Sequence, residues 1–225
     1  MSERLERLKE SVAVNSAGGD VTIIAVSKYT DLDHIQAAYS AGFRDFGESR
    51  LQDVLLKQDH FSPEGLNWHF IGTLQSNKLA KSVGRFSLIQ SVDSVAHAQR
   101  LSEANDLQKK RQTCLLQINP GEDLSRNGFT PQEVTDKIEF LLGLPGISID
   151  GLMSMAPPEQ SINRDEKALE KTFEAIRLLR DKLTSLSGRA LPVLSMGMSQ
   201  DFEIALRQGS TMIRIGQAIF DTKKL

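Results

Sequence analysis

The sequence has a single cysteine, Cys114, among its 225 residues. One thiol cannot form a disulfide or a thiolate metal cluster within its own chain, so we expect neither a disulfide nor a metal site. Cys114 lies in the apolar run TCLLQIN, where a small buried hydrophobic residue is the expected role. No apolar run approaches the ~20 residues that cross a bilayer, and the charged start MSERLERLKESV does not resemble a signal peptide. We therefore expect a cytoplasmic protein without a membrane partner.

The chain also lacks an excess of charge of either sign. Its 27 basic and 29 acidic residues give a formal net charge of -2, which gives no reason to expect nucleic acid as a partner. The basic cluster at residues 109–111 is expected to be a solvated helix end. With 40% hydrophobic and 25% charged residues, the composition is that of an ordinary globular protein able to bury a sizeable core.

Eight short apolar segments recur along the chain, and stretches with helical signals separate them. They are VTIIAVSK (21 to 28), FRDFGES (43 to 49), LNWHFIG (66 to 72), LIQSVD (88 to 93), TCLLQIN (113 to 119), ISIDGLMSM (147 to 155), LPVLSMGMS (191 to 199) and TMIRIGQAIF (211 to 220). Strands that alternate with helices pair in parallel. The count of eight, and a length close to the ~250 residues typical of such barrels, favour a closed barrel over an open sheet. No linker divides the chain, so we predict an α/β fold: a single (β/α)8 TIM barrel domain over residues 1–225.

Helix signals support this alternation. The first twelve residues place their apolar side chains on one face and predict an extra N-terminal helix. Thr30 with Asp33 predicts one capping box, and Thr130 with Glu133 predicts another. Residues 164 to 187 carry a 3.6-residue apolar period and predict a long helix.

Polar residues accumulate at the predicted carboxyl ends of the strands, where active sites of these barrels lie. Several have an ordinary explanation: Lys28 can extend to water, Asp93 and Ser199 can cap the next helix, and Glu48 can pair with a neighbouring base. Arg214 is different, because it lies inside the run MIRIG, and a buried guanidinium needs a partner.

The last two segments suggest a phosphate site. Ser199 ends the seventh segment and Gly216 lies in the eighth, and the loops after these strands commonly bind phosphate in this fold. Together with Arg214 and the strand-end Lys28, they point to a phosphorylated carbonyl compound held as a Schiff base. A phosphorylated sugar would make the protein an aldolase. Pyridoxal 5′-phosphate (PLP) would make it a cofactor protein with the arginine at the pyridine nitrogen.

The chain resembles the pyridoxal 5′-phosphate homeostasis proteins. The motifs that carry the resemblance are AVSKYT, FGESRLQD, WHFIGTLQSNK, GLMSM and LSMGMSQDFEIALRQGSTMIRIGQAIF. The resemblance implies a monomeric barrel, similar to the N-terminal domain of alanine racemase, that binds PLP without established turnover. It also implies a role in balancing vitamin B6 vitamers and, indirectly, amino and keto acid pools, and it leaves apo-enzymes that receive the cofactor as an open class of partner.

The resemblance assigns roles by motif position. Lys28 would form the internal aldimine with PLP, and Arg214 would meet the pyridine nitrogen. Ser199, Gly216 and Gln217 would hold the phosphate.

Two positions depart from the family motifs. Ser49 stands where FGEN has asparagine, so a hydrogen bond to the cofactor ring is lost or passes through water. Gln217 stands where IGTAIF has threonine, which removes a hydroxyl from the phosphate shell and keeps the backbone N–H. We expect both substitutions to change the contacts and the affinity for PLP without abolishing its binding.

The tyrosines bear on catalysis. A racemase needs acid/base groups on both faces of the cofactor, and the chain has only Tyr29 and Tyr39. Tyr29 neighbours Lys28 and Tyr39 falls in the first helix pattern, so neither is expected to face Lys28 across the ring. His69 is a candidate proton shuttle, with a structural role as the alternative. We expect a PLP carrier or regulator without catalytic residues; the alternative is a weak PLP-dependent racemase or lyase.

Overall fold

The structure is a computed structural model that describes residues 1–16, 18–121 and 126–220, apart from the side chain of Ser76. Eight parallel strands close into a barrel in chain order, because the first strand pairs with both the second and the eighth. The strands are β1 (Thr22–Val26), β2 (Asp45–Glu48), β3 (Asn67–Phe70), β4 (Leu88–Val92), β5 (Gln112–Ile118), β6 (Ile147–Ser154), β7 (Val193–Met198) and β8 (Met212–Ile215). The predicted (β/α)8 barrel is confirmed.

Helices follow the strands around the outside of the barrel. They are α1 (Ser2–Asn15), α2 (Leu32–Ser40), α3 (Leu51–His60), a 3₁₀ helix (Ser76–Lys78), α4 (Leu79–Ser82), α5 (Val95–Asp106), α6 (Pro131–Leu142), α7 (Pro158–Asn163), α8 (Glu166–Ser187), α9 (Phe202–Arg207) and α10 (Gln217–Phe220). The predicted N-terminal helix is α1, which buries Leu5 and Leu8 and packs against α9 and α10. The predicted long helix is α8. In the described part of the chain, no helix is both long and apolar enough to cross a bilayer.

The helix caps agree with the sequence at one predicted box and differ at the other. Thr130 accepts a hydrogen bond from the backbone N–H of Glu133, whose carboxylate returns to the backbone of Thr130, so this box is confirmed. The Thr30 box is wrong. Asp31 caps α2 instead and accepts from the N–H of His34 at 3.0 Å, because its own side chain reaches the free amides of the first turn.

The eighth segment is also shorter than the sequence pattern suggests. Residues 211 to 220 read as one strand, whereas β8 ends at Ile215 and α10 begins at Gln217. Gly216 separates the two, and the N–H groups of Ile219 and Phe220 turn back to its carbonyl. The short α7 was not predicted from the sequence.

Apolar side chains form two layers that the strands separate. The larger core lies between the strands and the helices and includes Cys114, which is fully buried as expected. Burial raises the pKa of its thiol, so the group is inert at neutral pH. The smaller core fills the barrel interior with Ile24, Leu88, Leu115, Met153 and Met212. Side chains of one strand alternate between these two layers.

Candidate functional site

The six candidate site residues all lie at the carboxyl ends of four consecutive strands, β7, β8, β1 and β2. Ser199 follows β7, Arg214 lies within β8, and Gly216 and Gln217 come directly after β8. Lys28 and Ser49 follow β1 and β2 in the same way. The fold therefore brings the sequence candidates to one side of the barrel mouth.

Lys28 lies on the exposed loop after β1. Its Nζ is 5.4 Å from the ring centroid of Tyr29, and the guanidinium of Arg50 is 5.9 Å from the same ring. Tyr29 is itself 81% exposed. Lys28 is thus open to solvent rather than desolvated, and its amine is accessible to a carbonyl compound that enters the mouth.

A buried ion pair fixes the backbone just before Lys28. Glu48, at the end of β2, is fully buried, and its Oε1 accepts from Lys57 Nζ of α3 at 2.6 Å and from Ser27 Oγ at 2.7 Å. Lys57 Nζ also donates to the carbonyl of Ser27 at 2.9 Å. The expected pairing of Glu48 with a neighbouring base is confirmed. The pair ties β2 and α3 to the end of β1, which carries Lys28.

Arg214 is 4% exposed, and neutral oxygens receive its hydrogen bonds. Nη1 donates to the carbonyl of Ser195 at 2.8 Å and to its hydroxyl at 2.7 Å, while Nη2 donates to the carbonyl of Ser154 at 2.8 Å. Burial lowers the pKa of the guanidinium to about 10, and the nearby Asp201 carboxylate opposes this. Arg214 therefore stays protonated at neutral pH. A guanidinium has five N–H donors, so the described bonds leave donors for a ligand.

The turn after β7 is held by Asp201, a residue that sequence reasoning missed. Its Oδ1 accepts from the N–H of Met198 at 2.6 Å, and its Oδ2 accepts from Ser161 Oγ of α7 at 2.5 Å. Asp201 is also the first flanking residue of α9, so the alternative role of Ser199 as the cap of this helix does not apply. Ser199 is left half-buried within this turn.

Gly216 leaves space beside the end of β1. A Cβ placed on Gly216 would lie 3.4 Å from the carbonyl oxygen of Val26 and 3.5 Å from its Cβ, which are ordinary contact distances. The packing of the chain therefore does not require glycine here. At the start of α10, the N–H groups of Gln217 and Ala218 have no acceptor within the helix, whereas those of Ile219 and Phe220 bond to the carbonyl of Gly216. Small size and free amides suit a bound phosphate.

Ser49 follows β2, which β1 separates from β8. It is half-buried and lines a hollow between the ends of β2 and β3 with Arg50, Thr73 and Lys78. Asp53 also lines the hollow, so two cations face one carboxylate, and the remaining positive charge favours an anionic ligand.

Two further sequence candidates have structural roles. Asp93 does not cap α5; Ser94 does so, accepting from the N–H of His97 at 3.2 Å, while Asp93 meets the His97 ring at 3.0 Å. The hydroxyl of Tyr39 donates to the carbonyl of Glu64. Tyr39 lies near the end of α2, away from the carboxyl ends of the strands.

The barrel and its mouth define a class of protein. A family model described as "Alanine racemase, N-terminal domain" matches residues 4–223. Alanine racemase of Clostridium difficile superposes with a TM-score of 0.78 over 97% of this chain and 56% of its own, at 16% identity, which shows the fold alone.

More similar proteins narrow the class. The pyridoxal phosphate homeostasis protein of Haemophilus influenzae is 36% identical over 90% of this chain and 85% of its own. That of Pseudomonas aeruginosa is 37% identical over 96% of this chain and 91% of its own. The structure of PipY from Synechococcus elongatus with PLP bound covers 97% of this chain and 99% of its own, at 34% identity and a TM-score of 0.84. The chain therefore belongs to the pyridoxal phosphate homeostasis proteins, within the wider alanine racemase N-terminal domain family.

Proposed function

We propose that this protein binds PLP at the barrel mouth and takes part in PLP homeostasis and, indirectly, in the balance of amino and keto acids. The observation that carries the proposal is the placement of Arg214 on β8 and of Lys28 directly after the neighbouring strand β1. Arg214 is buried and keeps donors for a ligand, and Lys28 presents an accessible amine. The PLP-bound structure of PipY and the names of the relatives support it.

Lys28 is the residue that holds the cofactor covalently. Its accessible amine would hold PLP as a Schiff base through the aldehyde of the cofactor, with loss of water. The Glu48–Lys57 pair fixes Ser27 and thereby the start of the Lys28 loop. The position of the amine then depends on the side chain of Lys28 more than on its backbone.

Arg214 meets the pyridine nitrogen, and Ser199, Gly216 and Gln217 hold the phosphate. A guanidinium with a pKa of about 10 does not give its proton to the pyridine nitrogen. PLP supplies an electron sink when bound, and an unprotonated ring makes that sink weaker. Ser49 is assigned to the ring, which it would contact directly or through water.

We propose a carrier or regulator rather than an enzyme. Tyr29 is exposed beside Lys28, and Tyr39 is engaged with Glu64 in the helical layer. Neither is placed to act as the second acid/base group that a racemase requires. We expect no steady turnover when alanine and other amino acids are offered to pure protein. Turnover that Lys28→Ala abolishes would instead favour the alternative, a weak PLP-dependent racemase or lyase.

The resemblance to the family is the basis of a further proposal about the oligomeric state and the location of the protein. We propose one PLP-binding domain over residues 1–225 that acts as a cytoplasmic monomer and needs neither nucleic acid nor a membrane. Apo-enzymes that receive PLP are a class of partner that an open mouth would allow.

A PLP titration tests the function. The visible band of bound PLP should rise to saturation with the parent protein and with Lys182→Ala, which removes an exposed lysine of α8 that has no part in the site. It should be absent with Lys28→Ala. Equal binding by Lys28→Ala would overturn the assignment of Lys28, and no binding by the parent protein would overturn the function.

A further inference from the structure

The barrel interior contains a group of buried polar side chains that, apart from Arg214, the cofactor site does not account for. Arg214 and Ser195 lie on β8 and β7, while His69 and Gln90 lie on β3 and β4 on the opposite side of the barrel. All four are at most 4% exposed. Buried polar groups of this kind are stable only when they are hydrogen-bonded.

These side chains form one hydrogen-bonded chain across the interior. Arg214 Nη1 lies 2.7 Å from Ser195 Oγ, which lies 2.7 Å from Gln90 Oε1. Gln90 Nε2 lies 3.3 Å from His69 Nδ1, and His69 Nε2 lies 3.0 Å from Asp45 Oδ1. Asp45 is the first residue of β2 and its side chain is 23% exposed. The chain therefore runs from the cofactor-binding arginine to solvent at the amino ends of the strands.

The donors and acceptors of these side chains decide which way the hydrogen bonds run, that is, which group donates at each step. Arg214 can only donate, so Ser195 Oγ accepts from it and gives its own hydrogen to Gln90 Oε1. Gln90 then presents its amide N–H groups to His69. His69 Nδ1 must be unprotonated to accept, and the ring carries its hydrogen on Nε2, facing Asp45.

Met212 favours this direction over the reverse. Its sulfur lies 3.2 Å from Gln90 Nε2, and a thioether can only accept. If the oxygen and nitrogen of the Gln90 amide were exchanged, the oxygen would face the Met212 sulfur, and two acceptors would meet. The hydroxyl of Ser195 would then have no acceptor on Gln90. His69 would also have to carry a hydrogen on Nδ1.

We propose that His69 and Gln90 are positioning residues for Arg214: as the Nε2–H tautomer, His69 accepts from Gln90 and so keeps the Gln90 oxygen on the Ser195 hydroxyl that contacts the guanidinium. The inference rests on the proposed function for the role of Arg214, but not for the direction of the chain. His69 thus acts through Gln90 and Ser195, without contact with the cofactor.

Nitrogen NMR of the cofactor-free protein tests the direction without any ligand. The sequence has four histidines, and the spectrum of His69→Gln assigns the signal of His69. At neutral pH we expect Nε2 of His69 to be protonated and Nδ1 to be unprotonated. A hydrogen on Nδ1, in either the other tautomer or the imidazolium, would overturn the proposal.

Substitutions then test the effect on the cofactor. His69→Gln keeps an acceptor toward Gln90 and a donor toward Asp45, so we expect PLP affinity and the visible band to stay near those of the parent. His69→Leu and Gln90→Leu break the chain. Each should weaken PLP binding by about tenfold, the effect of a misplaced hydrogen bond to a charged group, and should displace the visible band.

Leu115→Ala is the matched control, because Leu115 is fully buried in the same interior and has no place in the chain. It should lower the unfolding midpoint while the visible band of bound PLP stays in place. Parent-like PLP affinity and band position in both leucine variants would overturn the positioning role. If the parent protein itself binds no PLP, the proposed function fails, and the NMR result still decides the direction of the chain.

Discussion

Arg214 and Glu48 are both buried charges, and the barrel stabilises them in different ways. Arg214 gives its hydrogen bonds to the neutral oxygens of Ser195 and Ser154 and keeps donors for a ligand. Glu48 meets the charge of Lys57 directly, at 2.6 Å. The first arrangement suits binding, and the second suits a structural tie, because a buried carboxylate without a cation is strongly destabilising.

Replacing Lys57 tests that tie at the residue scale. Lys57→Met leaves the fully buried carboxylate of Glu48 without its cation, and should lower the free energy of unfolding by about 3 kcal/mol. Urea unfolding measures this. The exposed pair of Lys9 and Glu6 is the control, and Lys9→Met should cost less than about 1 kcal/mol. Equal effects of the two substitutions would contradict the structural role of Lys57.

The substitution Gly216→Ala should weaken PLP binding without lowering the stability of the fold. The added Cβ meets Val26 at ordinary contact distances, so the melting temperature of the cofactor-free protein should stay close to that of the parent. PLP affinity, measured by absorbance, should fall about tenfold because the methyl group fills space next to the phosphate.

The control for this substitution is Gly151→Ala, whose Cβ would lie 1.9 Å from the carbonyl oxygen of Val193. It should unfold at a markedly lower temperature. Unchanged PLP affinity in Gly216→Ala would show that the glycine is not part of the phosphate site.

Some of the buried or strand-end residues discussed above could be predicted from the sequence, and others could not. Lys28 and Arg214 could be predicted because each is a polar residue at the end of, or within, an apolar strand. Lys57 and Asp201 could not, because a charged residue in or beside a helix normally faces water. Their burial depends on the packing of α3 and α9 against the barrel.

At the scale of the element, the helix caps show that the first residue of a helix is hard to predict from the sequence. Where two candidate residues are adjacent, as with Thr30 and Asp31 or Asp93 and Ser94, the second of each pair caps the helix. The choice depends on which residue keeps an extended backbone before the first turn, and both residue types favour that position. The box at Thr130 was predictable because Pro131 fixes where α6 begins.

That box should make the stability of α6 depend on pH. Hydrogen bonds from the backbone and hydroxyl of Thr130 lower the pKa of the Glu133 carboxyl. Its contribution is therefore present above the unfolded-state pKa and is lost as the pH falls through the lower, folded-state pKa.

Thr130→Ala should cost about 1 kcal/mol at pH 7 by urea unfolding, with a smaller difference in acid. Thr135→Ala, in the same helix and outside the box, serves as the control. A cost that is the same at pH 7 and in acid would contradict the coupling to Glu133.

At the scale of the whole molecule, the number of strands was the most informative feature of the sequence. Eight segments predicted closure, and the pairing of β1 with β8 confirms it. The polar chain through the interior was not predictable, because Gln90 and Ser195 are separated by 105 positions and meet only when the barrel closes. His69 was recognised from the sequence, but its partners were not.

A monomer stays a prediction at the scale of the whole molecule. Large exposed apolar side chains are spread over several helices and loops, with Val14, Leu56, Phe140 and Leu178 on four different helices. Single exposed apolar residues are normal on a protein surface and do not by themselves indicate an interface. Sedimentation velocity should give the mass of one chain, with and without PLP, and a concentration-dependent dimer would contradict this prediction.

The central claim is that Lys28 holds PLP at the mouth of this barrel. Its most direct test is borohydride reduction of the protein with PLP, followed by mass spectrometry of its peptides. We predict a single phosphopyridoxyl adduct on Lys28, and loss of that adduct in Lys28→Ala. An adduct on another lysine, or none after PLP is added, would contradict the account.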